Sequence, residues 1–268
     1  MTGEIRTAMQ KRQERPARTW RERIYSESGM IASLYDRRAR YYDPLVHILS
    51  LGTDLYYRRL AIQRLRLHPG DRVLDIGCGT GLDCPSLSQK AGPGGLTAGL
   101  DLSRGMLNQA RMRIQKGKIR HIFLIRGNAR TLPFRDHSFD AILCNYLLST
   151  VSAKEIIHEA FRVARPGASM VFADDRLPSG WFASPLRAME ECLRNGYHNT
   201  AIPCIPLLRR GLSPATMTNH HCGLIFIISG QLTRSAKGSE VVKQIVRSAP
   251  RGVELNPQQS KGQCRDCR

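Results

Sequence analysis

A chain of 268 residues, 41% hydrophobic and 24% charged, is long enough for one α/β domain with a large core plus a cap and tails, and it excludes wholesale disorder. Its 41 Lys and Arg against 22 Asp and Glu, a net charge of +19, predict attraction to polyanions: nucleic acid, anionic lipid headgroups or phosphorylated substrates. The most apolar run, Leu224 to Ile228, is strand-sized, and no apolar core follows the basic start at Arg6, Lys11, Arg12 and Arg15, so neither a membrane-spanning helix nor a secretory signal is expected.

The location expected is therefore cytoplasmic. Eight cysteines, scattered and several of them within apolar segments, agree with a reducing compartment rather than a disulfide framework. Cys264-x-x-Cys267 has metal-like spacing but no second pair, and no metal site is expected.

In chain order, residues 1–19 read as a basic flexible terminus. Residues 20–42 and 45–66 read as two helices, from Trp20, Ile24, Ile31, Leu34 and Tyr35, then Leu45, Ile48, Leu49, Leu55, Leu60, Ile62 and Leu65; together they make a helical lid over 20–69. From residue 70 short apolar runs alternate with helical patterns. Strands are expected at 72–76, 96–101, 121–126, 139–145 and 168–174, with helices at 80–91, 103–116 and 152–164. A further helix is expected from Trp181 to Asn195, strands at 201–208 and 222–230, and a flexible tail from 235 to 268. The alternation over 70–234 predicts an α/β domain with a doubly wound, mostly parallel seven-stranded sheet.

The turn after the first strand, Asp75-Ile76-Gly77-Cys78-Gly79-Thr80-Gly81, lets backbone approach a ligand and aims helix N–H groups at it. A dinucleotide fingerprint would need glycine at 82, where Leu82 stands, which argues against a nicotinamide-dependent oxidoreductase. Acids at Asp75 and at Asp101, the end of the next strand, suit a ligand with a cationic amino group and a ribose diol rather than a pyrophosphate.

Val73 to Gly81, with Gly99-Leu100-Asp101-Leu102-Ser103, Gly127 to Phe134, Ser138-Phe139-Asp140-Ala141 and Glu159 to Gly167, resembles the ordered motifs of class I S-adenosylmethionine-dependent methyltransferases. That resemblance implies S-adenosyl-L-methionine as cofactor, with Gly77, Cys78, Gly79 and Gly81 as its loop and Asp75 orienting the loop and the methionine amino group. Asp101, with Leu102 and Met106 beyond it, would face the ribose, Asn128 and Ala129 the adenine, and Asn145 the pocket below the sulfonium. The family usually has aspartate at 128; asparagine keeps an acceptor oxygen but loses the charge.

Tyr35-Asp36-x-x-Ala39-x-x-Tyr42-Asp43, then Leu49-Ser50-Leu51-Gly52 and Tyr57-Arg58-Arg59, is similar to the region before the first motif in ubiquinone and menaquinone C-methyltransferases. That branch continues after its fourth strand with a Gly-Leu-Arg-Asn-like signature, where this chain has Tyr146-Leu147-Leu148-Ser149. The implied acceptor is a small or lipid-like molecule, a quinone precursor in this branch; N-methylation of a phospholipid or other amine and a non-catalytic scaffold are the alternatives. C-methylation of a phenolic ring needs its hydroxyl ionised, and Tyr42, Asp43, His47, Asp174 and Asp175 are candidate bases. Asn145-Tyr146-Leu147-Leu148 lacks the Pro-Pro-aromatic pattern of amino-methylating nucleic-acid enzymes, so nucleic acid is disfavoured as a partner. Arg12, Arg15, Arg18, Arg21 and Arg23 beside Trp20 and Ile24 suggest peripheral contact with an anionic membrane.

Overall fold

The computed structural model describes residues 29–149, 153–175, 204–220 and 225–233, and residues 20–28 as backbone only. The expected helix 181–195, the basic stripe of residues 12–24, the tail and Cys264/Cys267 lie outside the described residues or their side chains.

The chain begins with α1 (Trp20–Leu49) and α2 (Thr53–Arg64). There follow β1 (Arg72–Ile76), α3 (Cys84–Ala91), β2 (Leu96–Asp101), α4 (Arg104–Lys116), β3 (Ile122–Arg126) and β4 (Phe139–Asn145). The second half holds α5 (Ala153–Val163), β5 (Ala164–Asp175), α6 (Ile205–Gly211), β6 (Leu212–His220) and β7 (Ile225–Leu232). The seven strands lie in the order β3-β2-β1-β4-β5-β7-β6. β1 to β5 are mutually parallel, and β7 runs antiparallel to both its neighbours.

Parallel strands covered on both faces must be apolar on both, and β1 and β4 are buried almost throughout. Alternation divides the core in two. Leu74, Ile76, Ile142, Cys144 and Phe172 pack with Ile156, Ala160 and Phe161 of α5. Val73, Ala141, Leu143 and Val171 pack on the other face with Tyr57 and Ala61 of α2 and Leu87 and Ala91 of α3.

The chain leaves β1 toward β2 and β3, then returns to place β4 on the other side of β1. That reversal opens a crevice at the carboxyl ends of the strands, where ligands bind in such sheets.

Arg162 of α5 knits the 132–136 loop to the sheet. It donates to Glu159 Oε1 and Oε2, to the carbonyls of Leu132 and Phe134, and to Asp136. Glu159 in turn accepts from Leu132 N at 2.7 Å. Arg162→Ala is expected to cost about 2–3 kcal/mol, because charge-assisted bonds to half-buried carbonyls are lost together; thermal unfolding measures it.

Three expectations on the elements are corrected. The lid is not two helices divided near residue 43: α1 runs through Pro44 to Leu49 and stops at Leu51 and Gly52, both with positive φ. Gly52 N donates to the His47 carbonyl at 2.8 Å, so the stop is a glycine cap and the proline lies within the helix. The expected strand at 201–208 is instead α6 within the described part, opened by Pro206 in its first turn. The strand there is β6, polar and carrying Pro214 because it is the sheet's edge. The helix after the glycine turn starts at Cys84 rather than residue 80, the loop occupying the difference.

Candidate functional site

The tips of β1 to β4 and the lid enclose a cleft of about 870 Å³, open solvent included. Gly77, Cys78 and Gly79 form its floor after β1; Asp101 and Leu102 stand at the tip of β2, Asn128 and Ala129 beyond β3, and Asn145 at the end of β4. Gly81 has φ 75°, and a Cβ there would sit 2.9 Å from Ala110 Cβ; the loop therefore turns against α4 as only glycine allows.

Asp101 binds the loop to α4. Its carboxylate accepts from Gly79 N at 2.9 Å and from Ser103 N at 2.8 Å, and Ser103 caps α4 by accepting from Met106 N at 3.1 Å. Burial pushes the Asp101 carboxyl up, and the Ser103, Gly79 and Leu102 N–H groups partly offset it.

A buried polar network lies beside β4. Asp83 accepts from Arg58 at 2.7 Å and from Asn145 Nδ2 at 2.9 Å. Burial and the charge of Asp83 push the Asp75 carboxyl well up, against the pull of Arg58. Asp75 Oδ2 and Asn145 Oδ1 are buried acceptors with no partner. Such atoms are costly unless something donates to them; of the two, Asn145 lines the cleft, where a ligand's ammonium group can donate to it. The Arg58 guanidinium lies 5.0 Å from the centroid of the Tyr146 ring. Tyr146 itself has φ 56°, a left-handed conformation costing a non-glycine residue about 1–2 kcal/mol. Burial holds its hydroxyl protonated far above the ordinary value, although Arg58 pulls the other way.

Helix α1 roofs the cleft with Ile31, Ala32, Tyr35 and Tyr42. Two carboxylates fasten it. Asp36 accepts from Ser103 Oγ at 2.5 Å and Gly105 N at 2.7 Å. Asp43 accepts from Thr80 Oγ1 and from Arg113, each at 2.7 Å, while Arg113 also donates to the Thr80 carbonyl. Burial raises the Asp36 carboxyl, but the Ser103 hydroxyl, Gly105 N–H and Arg126 outweigh it and hold it below the usual value.

Nine of the expected cofactor residues line one cleft: Gly77, Cys78, Gly79, Asp101 and Leu102, with Met106, Asn128, Ala129 and Asn145. Gly81 and Asp75 do not line it. Gly81 faces α4, and alternation along β1 sends Asp75 to the face covered by α2 and α3.

Of the candidate bases, Tyr42 lines the cleft. Asp43 is engaged by Thr80 and Arg113, and neither His47 nor Asp174 lines the cleft, a correction in both cases. The His47 side chain is 53% exposed and paired through Nδ1 with Asp54 at 3.2 Å. Asp174 is fully buried, accepts from Ser149 N at 3.1 Å, and points to the α5 face of β5, opposite the Asn145–Asp83 network. Asp175 accepts from Ser149 Oγ at 3.0 Å and does not line the cleft either. Among the described residues no group of three or more His, Cys, Asp or Glu could hold a metal ion. Sequence reasoning missed Asp83 and Tyr146, and took Arg58 only as part of a motif.

A model described as the ubiE/COQ5 methyltransferase family matches residues 23–177. The chain is similar to a demethylmenaquinone methyltransferase of Mycobacterium marinum, 33% identical over 174 residues, or 65% of this chain and 68% of that protein. It is also similar to one of Anoxybacillus flavithermus, 28% identical over 155 residues, or 58% of this chain and 65% of that protein. The match thus spans about two thirds of the length of these curated relatives, just under that for the second. Among solved structures, a SAM-dependent methyltransferase from Aquifex aeolicus matches with a TM-score of 0.53 at 16% identity, covering 74% of this chain and 98% of that one. At that identity the likeness shows the fold.

Proposed function

The chain belongs to the ubiE/COQ5 methyltransferase family, and from that premise we propose that it methylates a ring carbon of a lipid-tailed quinol with S-adenosylmethionine as donor. The observation that carries this reading is Asp101, held at the strand tip by Gly79 and Ser103 N–H groups with free acceptor capacity toward a ribose diol. Asn128 and Ala129 would border the adenine, the Gly77–Gly79 backbone the methionine chain, and Asn145 Oδ1 its ammonium. The bound donor supplies an electrophilic methyl on a sulfonium. The chain's own residues contribute alignment and exclusion of water to the methyl transfer. The acceptor hydroxyl ionises to make the ring carbon nucleophilic, and the ring C–H proton is lost as aromaticity returns, one proton net passing to solvent. Tyr42 is the candidate base that lines the cleft.

The test is incubation with label-bearing S-adenosylmethionine and a reduced short-chain demethylmenaquinone, with a lipid extract in parallel. Label on the quinone ring is the expected result. Label on an amine headgroup would favour N-methylation, and tight donor binding without transfer to any fraction would favour a scaffold.

A lipid-tailed acceptor has to be met at a membrane. No helix among the described residues is long and apolar enough to cross one, yet Tyr41, Ile48, Leu51 and Tyr56 are 65%, 70%, 90% and 60% exposed on the lid. Arg37, Arg40 and Arg59 are exposed on the same two helices, and the Arg40 guanidinium lies 5.7 Å from the Tyr41 ring centroid. Apolar tips within a cationic rim fit an anionic bilayer surface. Ile48→Asp with Leu51→Asp is expected to cut partition onto anionic vesicles at least about tenfold, since each buried aliphatic side chain contributes about 1.5–3 kcal/mol. Vesicle flotation in low and high salt measures it; binding unaffected by either change would remove the membrane contact.

A further inference from the structure

Beyond the tip of β4 the cleft is walled by a tyrosine in a backbone conformation that favours glycine. We propose that Tyr146, backed by the Arg58 guanidinium, is the wall that selects the acceptor ring; the proposal rests on the methyl-transfer reading of the same cleft.

Strand order separates this wall from the donor's end. Asp101 and Asn128 stand on the β2 and β3 side of β1, whereas Tyr146 follows β4 on the other. From β3 to β4 is three strand spacings, about 14–15 Å, room for a nucleoside and its methionine chain between adenine and wall. Tyr146 has φ 56° and its N–H donates to the Ala173 carbonyl at 2.8 Å. A strained residue persists where its surroundings over-determine it, and such residues gather at ligand sites.

The polar atoms at the wall point the same way. Tyr146 Oη and Arg58 Nε are buried and have no partner. Both are donors: Arg58 is always charged, and the Tyr146 hydroxyl keeps its proton. Tyr35 and Tyr42 from the lid also line the cleft, standing edge to face with ring centroids 5.8 Å apart. A flat ring can lie between aromatic walls, with its oxygen toward the two donors. The fixed charge of Arg58 and the protonated hydroxyl favour an oxygen at the wall over a cationic amine. The wall therefore selects for a ring oxygen.

The test compares wild type, Tyr146→Phe and Tyr146→Gly as full-length proteins with reduced short-chain demethylmenaquinone. Tyr146→Phe is expected to raise acceptor KM about fivefold with kcat little changed, as loss of one hydrogen bond does. Tyr146→Gly is expected to raise it about tenfold or more, since the aromatic wall goes too, and to widen the range of ring sizes methylated. In both, the donor Kd by calorimetry should stay within about twofold of wild type. The glycine variant relieves the backbone strain but loses a largely buried ring and its contact with Arg58, so its Tm is expected to fall. The phenylalanine variant, which only loses an unpartnered hydroxyl, therefore decides.

Binding is read separately, by equilibrium dialysis of the oxidised quinone with S-adenosylhomocysteine present. Wild-type protein that binds the quinone without methylating it sinks the transferase reading, and the variants' quinone affinities still score the wall. Unchanged acceptor KM and quinone affinity in both variants overturns the wall, as does wild-type protein that does not bind the quinone at all.

Discussion

Replacing Asp101 with alanine is expected to weaken S-adenosylmethionine binding about a hundredfold, close to 2.7 kcal/mol, read by titration calorimetry. A hydrogen bond to a charged group contributes about 1.5–3 kcal/mol, and the loss here is double. The ribose loses its acceptor, and Gly79 N and Ser103 N lose the oxygens that fix the loop on α4. Asp101→Asn keeps one acceptor oxygen and should lose about tenfold. The pH dependence has a definite sign. Burial sets the Asp101 carboxyl above its ordinary value in the free protein, and a ligand donating hydroxyls binds the ionised form. Affinity is therefore full at pH above that raised value and falls as pH drops through it, sooner than for an exposed aspartate. A loss under about threefold in the alanine variant would show that the strand-tip carboxylate does not hold the donor.

Asp83→Ala is expected to cost about 3–5 kcal/mol of stability, because it strands a buried guanidinium. The Arg58 and Asp83 side chains are only 13% and 4% exposed, so water cannot replace the lost partner, and Asn145 Nδ2 loses its acceptor too. For a chain of this size the melting temperature should fall by roughly 10 °C. Arg58→Met combined with Asp83→Leu should recover much of that loss, since it removes the buried charges instead of orphaning one. If the single variant melts within about 2 °C of wild type, the pair is solvated in solution and the network is not a structural element.

How far the sequence reveals this molecule depends on whether the constraint on a residue is local. The glycine loop and the acids at the strand tips are legible because a positive φ at Gly81 or a carboxylate ending β2 limits residue type at its own position. Asp83 has no such mark: it follows Leu82 in a turn that reads as the start of a helix, and its importance comes from Arg58, 25 residues earlier in the chain. Tyr146 looks like an ordinary strand-end aromatic until its backbone is seen. His47 and Asp174 are chemically apt as bases, but pairing with Asp54 and the alternation of β5 turn them away from the cleft. β6 is hidden for a different reason, since an edge strand exposes much of its length and carries little of the apolar pattern by which strands are read. Pro44 misleads because the chain tolerates it inside α1, whose end is set by Gly52.

The fastening of α1 also sets what holds the cleft covered. Asp36 grips the first turn of α4, and Asp43 grips both the glycine loop and Arg113, so the roof of the cleft is pinned by polar latches to the loop and helix that line it. Lifting α1 from the cleft requires those contacts to part. Of these latches only Asp43–Arg113 is an ion pair, its side chains 24% and 31% exposed, so salt weakens that one and leaves the hydrogen bonds to Ser103, Gly105 and Thr80 in place.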